Sequence, residues 1–276
     1  MLPTFVIGLR EGVEASLIVG IIAAFLRQRG ASRQLRWVWA GVLAAVTLCA
    51  AVGVLLEVLN ENLPQRQQEG LETVIAVIAV AMVTSMIVWM ARHARSIKGD
   101  LETRAGAAIE GSVWTMVAMA FLAVLREGME TAVFLLSAFQ ASTNRAAASA
   151  GAVLGLLVAV AIGYGLYRGG VRINLARFFT ATGLVLVLVA SGLVAFAMHT
   201  GHEAGWINFG QEHVVDLRWL IKPGSVQAAL LTGVLGIQPR PALIEVVAWV
   251  AYLVPVSMFV LRSSRRRSVK PTPALA

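Results

Sequence analysis

Residues 10–14 of this chain read REGVE, with three charged side chains in the middle of an otherwise apolar stretch. The pattern returns 116 positions later, where residues 126–130 read REGME in a second apolar stretch. Each ionisable group near the centre of a bilayer costs about 2.5–3.5 kcal/mol on insertion scales, and such groups mark the path of an ion, a proton or a substrate. Two helices that each hold three such groups therefore predict a transport function.

The composition is that of a membrane protein. Hydrophobic residues make up 58% of the 276 residues, charged residues only 14%, and the mean hydropathy is +0.77, whereas a soluble domain holds about 25% charged residues. Seven stretches are long enough to span a bilayer, which takes about 17–25 residues. The sequence therefore predicts an all-α integral membrane protein with seven transmembrane helices. The predicted spans are Pro3–Leu26, Trp37–Leu56, Thr73–Ala91, Gly111–Phe139, Ala146–Tyr167, Phe178–Met198 and Ala242–Leu261.

Basic residues predict how these helices are oriented, because short segments rich in Lys and Arg stay in the cytoplasm. Sixteen of the 23 Lys and Arg residues follow the first, third, fifth and seventh helices, five lie in the other segments, and the remaining two are the motif arginines. This distribution predicts a multi-pass protein of the cytoplasmic (inner) membrane, with the N-terminus outside and the C-terminus in the cytoplasm. It also explains the net charge of +8 without a nucleic acid partner. The lone Cys49 excludes an internal disulfide.

The positions of the two motifs predict an inverted repeat. The first and fourth helices run in opposite directions across the membrane, and transporters built from inverted repeats bind their cargo near the midplane where the halves meet. We expect a 3+3 core with one additional C-terminal helix. The expected parts of this single domain, residues 1–276, are repeat A at about 3–91, repeat B at about 111–198, an outer loop at 199–241, the seventh helix at about 242–262 and a basic cytoplasmic tail at 263–276.

Within each motif the spacing predicts a carboxylate pair on one helix face, because residues three or four apart share a face. Arg10 and Arg126 each lie four residues before the second glutamate of their motif, and each balances one negative charge. Gly12 and Gly128 leave room for another helix to approach. Carboxylates are hard oxygen donors, suited to iron, manganese, magnesium or calcium. The predicted ligands are Glu11 with Glu14 in the first motif and Glu127 with Glu130 in the second.

Other interpretations of these residues stay open at this stage. Arg–Glu pairs inside a membrane can serve only to link helices, although neither motif needs its second carboxylate for that. A proton-coupled transporter or antiporter of another small solute or divalent metal would use the same glutamates as a proton relay, and a scaffold for an oxidase complex would need them only for assembly. The apolar stretches hold no Ser–His, Asp–Asp or His-Glu-x-x-His arrangement, so neither an enzyme nor a bound organic cofactor is expected.

Two Arg-Glu-Gly-x-Glu motifs in the first and fourth helices of a seven-helix chain resemble the oxidase-dependent iron permease family. The resemblance extends over the whole chain and includes residues 201–206 and 233–241, which look like the bacterial members. It implies iron as the transported ion, and periplasmic partners that include a cupredoxin-like protein and a haem peroxidase. It also implies that the glutamates that carry iron are Glu11, Glu14, Glu127 and Glu130.

This chain departs from the family pattern in two respects. Val13 and Met129 stand where the family usually has Leu, and both remain apolar. The acidic exoplasmic motif of the fungal members is not evident, so the fungal mode of iron transfer is not expected here.

A third Glu-Gly-x-Glu, at residues 69–72, stands at the outer end of the third helix without a preceding arginine. It is either a solvated helix start, where acidic residues favour the dipole, or a site that collects the cation. The outer loop adds histidines and carboxylates that suit Fe(II), or forms an exposed polar cover. A short apolar piece at 225–236 is expected to be interfacial or re-entrant. The candidates for an outer collecting site are Glu69, Glu72, His199, His202, Glu203, Glu212, His213 and Asp216.

The sequence thus predicts an iron permease that moves iron from the outer face of the bilayer into the cytoplasm. An inside-negative membrane potential contributes about 2.3 kcal/mol per charge per 100 mV. That contribution suffices to drive a divalent cation, and the sequence holds no nucleotide-binding motif.

Overall fold

Seven α-helices make up most of the chain in the computed structural model, which describes residues 1–28, 30, 32–93, 113–142, 144–167, 175–219, 221, 231–232 and 235–266. Within these residues there is no β-strand, only one isolated antiparallel bridge between His213 and Ala242. A short 3-10 helix, Ser32–Gln34, precedes the second α-helix. The helices are α1 (Leu2–Gln28), α2 (Leu35–Glu61), α3 (Gln65–His93), α4 (Val113–Gln140), α5 (Arg145–Tyr167), α6 (Leu175–Glu203) and α7 (Leu243–Arg266).

Five of the described helices, α2, α3, α5, α6 and α7, are long and apolar enough to cross a membrane. The two that are not among them, α1 and α4, are the helices interrupted by the charged motifs. Each of the seven predicted spans coincides with one helix. The prediction of an all-helical protein with helices that can cross a membrane is therefore confirmed for these five helices.

The helices extend further than predicted at two ends that concern function. Helix α3 begins at Gln65 rather than near Thr73, so residues 69–72 lie within its first two turns. Helix α6 continues to Glu203, so His199, His202 and Glu203 lie on its last turns and not in a loop. Gly205 follows with a φ of +78°, a conformation that glycine adopts without strain and that commonly ends a helix. The predicted interfacial piece at 225–236 lies mostly outside the described residues.

Helix α1 packs extensively against α5, and the two helices run parallel. Gly8 lies against Ala152 and Gly12 against Ala159, so residue numbers rise together along the contact. A Cβ on Gly155 would meet the carbonyl oxygen of Phe5. Small residues at four-residue spacing thus allow close backbone approach, as is typical of helix pairs in membranes.

The other principal contacts follow a regular scheme. Helix α2 packs parallel to α4, with Gly41 against Val117 and Cys49 against Gly128. Helix α3 packs antiparallel to α6, where the hydroxyl oxygens of Thr73 and Thr200 lie 2.7 Å apart. Helices α1 and α4 also contact each other, and α7 packs mainly on α6. Neighbours in sequence, α1 with α2 and α4 with α5, touch only slightly.

Gly155→Ala is expected to lower the thermal unfolding midpoint of the detergent-solubilised protein. The added methyl would meet the Phe5 carbonyl and the Leu9 amide, which cannot move unless α1 shifts. Such overpacking costs about 1–3 kcal/mol, whereas Ala gains only about 1 kcal/mol over Gly in a helix. Gly53→Ala is the matched control, since no atom of another helix lies within 4 Å of its Cβ, and its midpoint is expected to stay or rise. Equal midpoints would contradict the described α1–α5 contact.

Candidate metal transport site

The two charged motifs meet where α1 contacts α4. Glu11, Glu14 and Glu127 each present one carboxylate oxygen, and these three atoms lie within 4.8 Å of one another. Among the described residues this is the only group of three metal-ligating side chains that lie so close together. Glu130 is outside the group, yet it is near enough to interact electrostatically with Glu11 and Glu14. The structure thus brings three of the four predicted ligands together and places the fourth beside them.

Each motif arginine pairs with the second glutamate of its own motif, as the spacing predicts. The Nε of Arg10 lies 3.2 Å from Glu14 Oε1, and the Nε of Arg126 lies 3.1 Å from Glu130 Oε1. The two pairs differ in their surroundings, since the side chain of Arg10 is 1% exposed and that of Arg126 is 66% exposed. Equivalent residues of the repeated motif therefore occupy inequivalent environments.

Glu11 is the most unusual side chain of the cluster. Its side chain is buried, with the residue 1% exposed, and neither carboxylate oxygen has a hydrogen-bond partner among the described residues. A buried charge without a partner is strongly unfavourable, and a bound cation or a proton would relieve this. The donor set, carboxylate oxygens from two helices, suits a divalent cation such as Fe(II) or Mn(II).

Glycine at the centre of each motif brings a third and a fourth helix close to the carboxylates. A Cβ on Gly12 would lie 2.6 Å from the Cβ of Ala159 on α5, and one on Gly128 would lie 2.6 Å from Cys49 Sγ on α2. Helix α5 therefore packs behind α1, and α2 packs behind α4. This packing holds the carboxylate faces of α1 and α4 toward each other.

A cavity of about 450 Å³ lies near the N-terminus of α1, between α1, α3, α4, α6 and the segment before α7. We call this cavity the vestibule. Four of the eight candidates for a collecting site line it: Glu69, Glu72, His199 and Glu203. The Nε2 of His199 lies 3.6 Å from Glu203 Oε1, and Glu69 is close enough to Glu203 for the two carboxylates to interact. The vestibule therefore collects donors from the ends of two helices.

Glu72 is buried within the vestibule wall. The amides of Asn60 and Gln68 donate to its Oε1 at 3.0 and 3.4 Å, and Glu72 is only 9% exposed. These contacts do not fit a solvated helix start, the alternative that the sequence left open for residues 69–72.

The other four candidates do not reach the vestibule. The Nδ1 of His202 lies 2.8 Å from the carbonyl oxygen of Ile207, and Glu212 and His213 are exposed. Asp216 forms ion pairs with Arg218 at 2.6 Å and with Arg240 at 3.3 Å. The hydrogen bonds from Arg218 hold the pKa of Asp216 below its usual range, so this carboxylate stays ionised and paired. Of the eight candidates, the structure therefore does not bring His202, Glu212, His213 and Asp216 into the vestibule.

Two residues of this region were missed by the sequence analysis. Glu245, the only carboxylate of α7, is buried, and its Oε1 lies 2.9 Å from His199 Nδ1. Gln140 lines the vestibule, and both polar atoms of its side chain are buried without a hydrogen-bond partner in the described part of the chain. The lone carboxylate in the apolar run Ala242–Leu261 was a signal for Glu245, whereas no sequence signal distinguished Gln140.

Comparison with known proteins shows the family to which the chain belongs. The model of the iron permease FTR1 family matches residues 1–265. The chain belongs to the iron permease FTR1 family. The ferrous iron permease EfeU of Escherichia coli O6:K15:H31 is 40% identical over 258 residues, which cover 92% of this chain and 93% of that protein. EfeU of Yersinia pseudotuberculosis serotype I is 41% identical over 254 residues, which cover 91% of this chain and 89% of that protein. No solved structure matches the chain.

Membership of this family confirms the resemblance inferred from the two motifs. It also marks the chain as a transporter rather than an enzyme, with iron as the transported substrate. The apolar helices and the bacterial relatives indicate a multi-pass protein of the inner membrane.

Arg10→Met is expected to destabilise the protein more than Arg126→Met. Removing one partner of a buried ion pair costs about 3–5 kcal/mol, whereas an exposed pair contributes about 0.2–1 kcal/mol. Thermal unfolding of the two variants in the same detergent measures the difference. Equal losses, or a larger loss for Arg126→Met, would contradict the environments described for the two motifs.

Proposed function

We propose that this protein is a ferrous iron permease whose cargo binds between Glu11, Glu14 and Glu127, with Glu130 completing the site as the ion moves. The observation that supports this most strongly is Glu11, a buried carboxylate whose oxygens lack hydrogen-bond partners among the described residues and face two further carboxylates. A divalent cation would neutralise the charge that the two arginines leave. When no cation is bound, Arg10 and Arg126 would each balance the charge of one motif glutamate.

We further propose that all seven helices span the membrane as a 3+3 inverted repeat followed by α7. The helix contacts support this arrangement. In such a repeat α1, α2 and α3 correspond to α4, α5 and α6. Under this correspondence the α1–α5 contact is equivalent to the α4–α2 contact, and the α1–α4 and α3–α6 contacts are each equivalent to themselves. The parallel and antiparallel directions of these pairs are those of an alternating path through a bilayer. The distribution of basic residues supports an orientation with the vestibule outside and the C-terminus in the cytoplasm.

The vestibule is proposed to collect iron from the outer side. His199 offers Nε2 toward the cavity, because the Glu245 carboxylate accepts a hydrogen bond from Nδ1 in the tautomer that this contact favours. Glu69 and Glu203 add carboxylate oxygens. In a system of the Efe type, a cupredoxin-like protein and a haem peroxidase would deliver iron to this face.

Glu11→Gln and Glu127→Gln are expected to reduce uptake of radioactive Fe(II) into proteoliposomes strongly while leaving the amount of folded protein unchanged. Each change removes a charged ligand of the cation. We take the contribution of a hydrogen bond to a charged group, about 1.5–3 kcal/mol, as a guide to the binding free energy that is lost. Since 1.4 kcal/mol is about tenfold in affinity, uptake should fall at least about tenfold. Glu57→Gln, on the exposed face of α2 where it pairs with Arg145, is the control and should transport normally. Wild-type uptake in both motif variants would overturn the proposed site.

A proton relay remains the second candidate function, because the same unpartnered carboxylate of Glu11 could carry a proton. Uptake measured with and without an imposed pH gradient separates the two functions. An iron permease driven by membrane potential should respond to a potassium diffusion potential and little to the pH gradient. Solute movement that follows the pH gradient without iron would favour the proton-coupled transporter.

His199→Ala and Glu203→Gln are expected to raise the iron concentration needed for half-maximal uptake by about tenfold, which corresponds to about 1.4 kcal/mol of lost binding, with a smaller effect on the maximal rate. The reason is that both side chains line the vestibule and neither belongs to the central cluster. Glu212→Gln, exposed and outside the vestibule, serves as the matched control. An equal change in the control variant would count against a collecting role for the vestibule.

A further inference from the structure

The vestibule and the carboxylate cluster are separated by a layer of large apolar side chains. Three helices each contribute one residue of this layer, Ile7 from α1, Phe134 from α4 and Leu186 from α6. Their exposed fractions are 1%, 0% and 1%, and all three belong to one contiguous cluster of buried apolar side chains. We call these three residues the apolar layer.

The spacing along each motif helix places the layer one helical turn from both sites. On α1, Ile7 lies three residues after Thr4, which lines the vestibule, and four residues before Glu11. On α4, Phe134 lies four residues before Ala138, which lines the vestibule, and four residues after Glu130. Four residues of helix correspond to about 6 Å.

Helix α6 contributes at the same depth. Leu186 lies three residues before Val189, which lines the vestibule, and three residues after Gly183. A Cβ on Gly183 would lie 4.0 Å from Arg10 Nη1, so Gly183 is level with the first motif. Ile7, Phe134 and Leu186 therefore share one depth between the vestibule and the carboxylates, and all three side chains are completely buried.

The opposite side of the motifs holds a second cluster of buried apolar side chains. Its buried members in the described part of the chain are Ile22, Leu26, Val38 and Ala120. The repeat offset of 116 residues relates Ile7 to Ala123 and Phe134 to Ile18, and both of these counterparts are partly exposed. Ile7 and Phe134 are therefore more deeply buried than the residues that the repeat places in their position on the opposite side.

We propose that Ile7, Phe134 and Leu186 form the closed outer gate of an alternating-access cycle, so that this structure corresponds to a state closed to the outer face. The proposal rests on the proposed transport function. Hydrophobic constrictions stop ions by excluding water, and the ion therefore passes only when the helices that carry the layer rearrange. Alternating access of this kind is typical of transporters built from inverted repeats. The gate makes the protein a carrier rather than a channel.

Accessibility of engineered cysteines tests the gate without requiring iron. In a Cys49→Ala background, Gln140→Cys reports on the vestibule and Thr131→Cys reports on the space between the layer and the cluster, since both lie on α4. A membrane-impermeant, positively charged methanethiosulfonate is applied to oriented vesicles from either side. We expect Gln140→Cys to react from the vestibule side. Thr131→Cys should not react from the vestibule side.

Truncation of the layer should connect the two spaces. Phe134→Ala or Leu186→Ala is expected to raise the rate at which Thr131→Cys reacts from the vestibule side by about tenfold or more, equivalent to about 1.4 kcal/mol off the barrier. Two truncations are used so that misfolding of one leaves the test intact. Val260→Ala, in the same buried cluster but on α7, is the control and should not change this rate.

Two results would overturn the gate. The first is a Thr131→Cys that reacts from the vestibule side as fast as Gln140→Cys while the layer is intact. The second is a rate of reaction from the vestibule side that neither truncation raises. Because labelling does not depend on the cargo, intact iron uptake in Glu11→Gln would refute the proposed iron site and leave the labelling result standing.

Discussion

Burial of carboxylates inside an apolar helix bundle is the constraint on which this structure depends. Charged groups in hydrocarbon are costly, and they persist only where they are paired, hydrogen-bonded or bound to a cation. Here Arg10 and Arg126 each pair with one glutamate, so two of the four motif carboxylates are not neutralised by an arginine. One divalent cation or two protons would balance their charge. We propose that the cargo ion does so, which would couple its binding to the burial of the carboxylates.

Helix packing around the cluster follows from the same constraint. Glycine at the centre of each motif lets α5 approach α1 and α2 approach α4, so that both motif helices are packed from behind while their carboxylates face each other. The helices that pair most closely belong to opposite halves of the chain. A site built at the junction of two halves can open to one side or the other when the halves rearrange.

Much of the fold follows from the sequence, because apolar runs of membrane length leave little choice but helices. The motif spacing likewise predicts the shared carboxylate face and the Arg–Glu pairs, both of which the structure contains. The ends of helices were less predictable, since polar residues are compatible with either a loop or a last helical turn. Helix α6 therefore continues through His199 to Glu203, where a loop was expected. The unequal environments of Arg10 and Arg126 were not predictable at all, because their local sequences are equivalent and only tertiary packing distinguishes them.

Anomalous diffraction at the iron edge, from crystals grown anaerobically with Fe(II), would test the central claim most directly. The account predicts an iron peak between α1 and α4, coordinated by carboxylate oxygens of Glu11, Glu14 and Glu127. Absence of iron from this position at concentrations that saturate transport would contradict it, as would motif carboxylates that point to separate surfaces with no shared cavity.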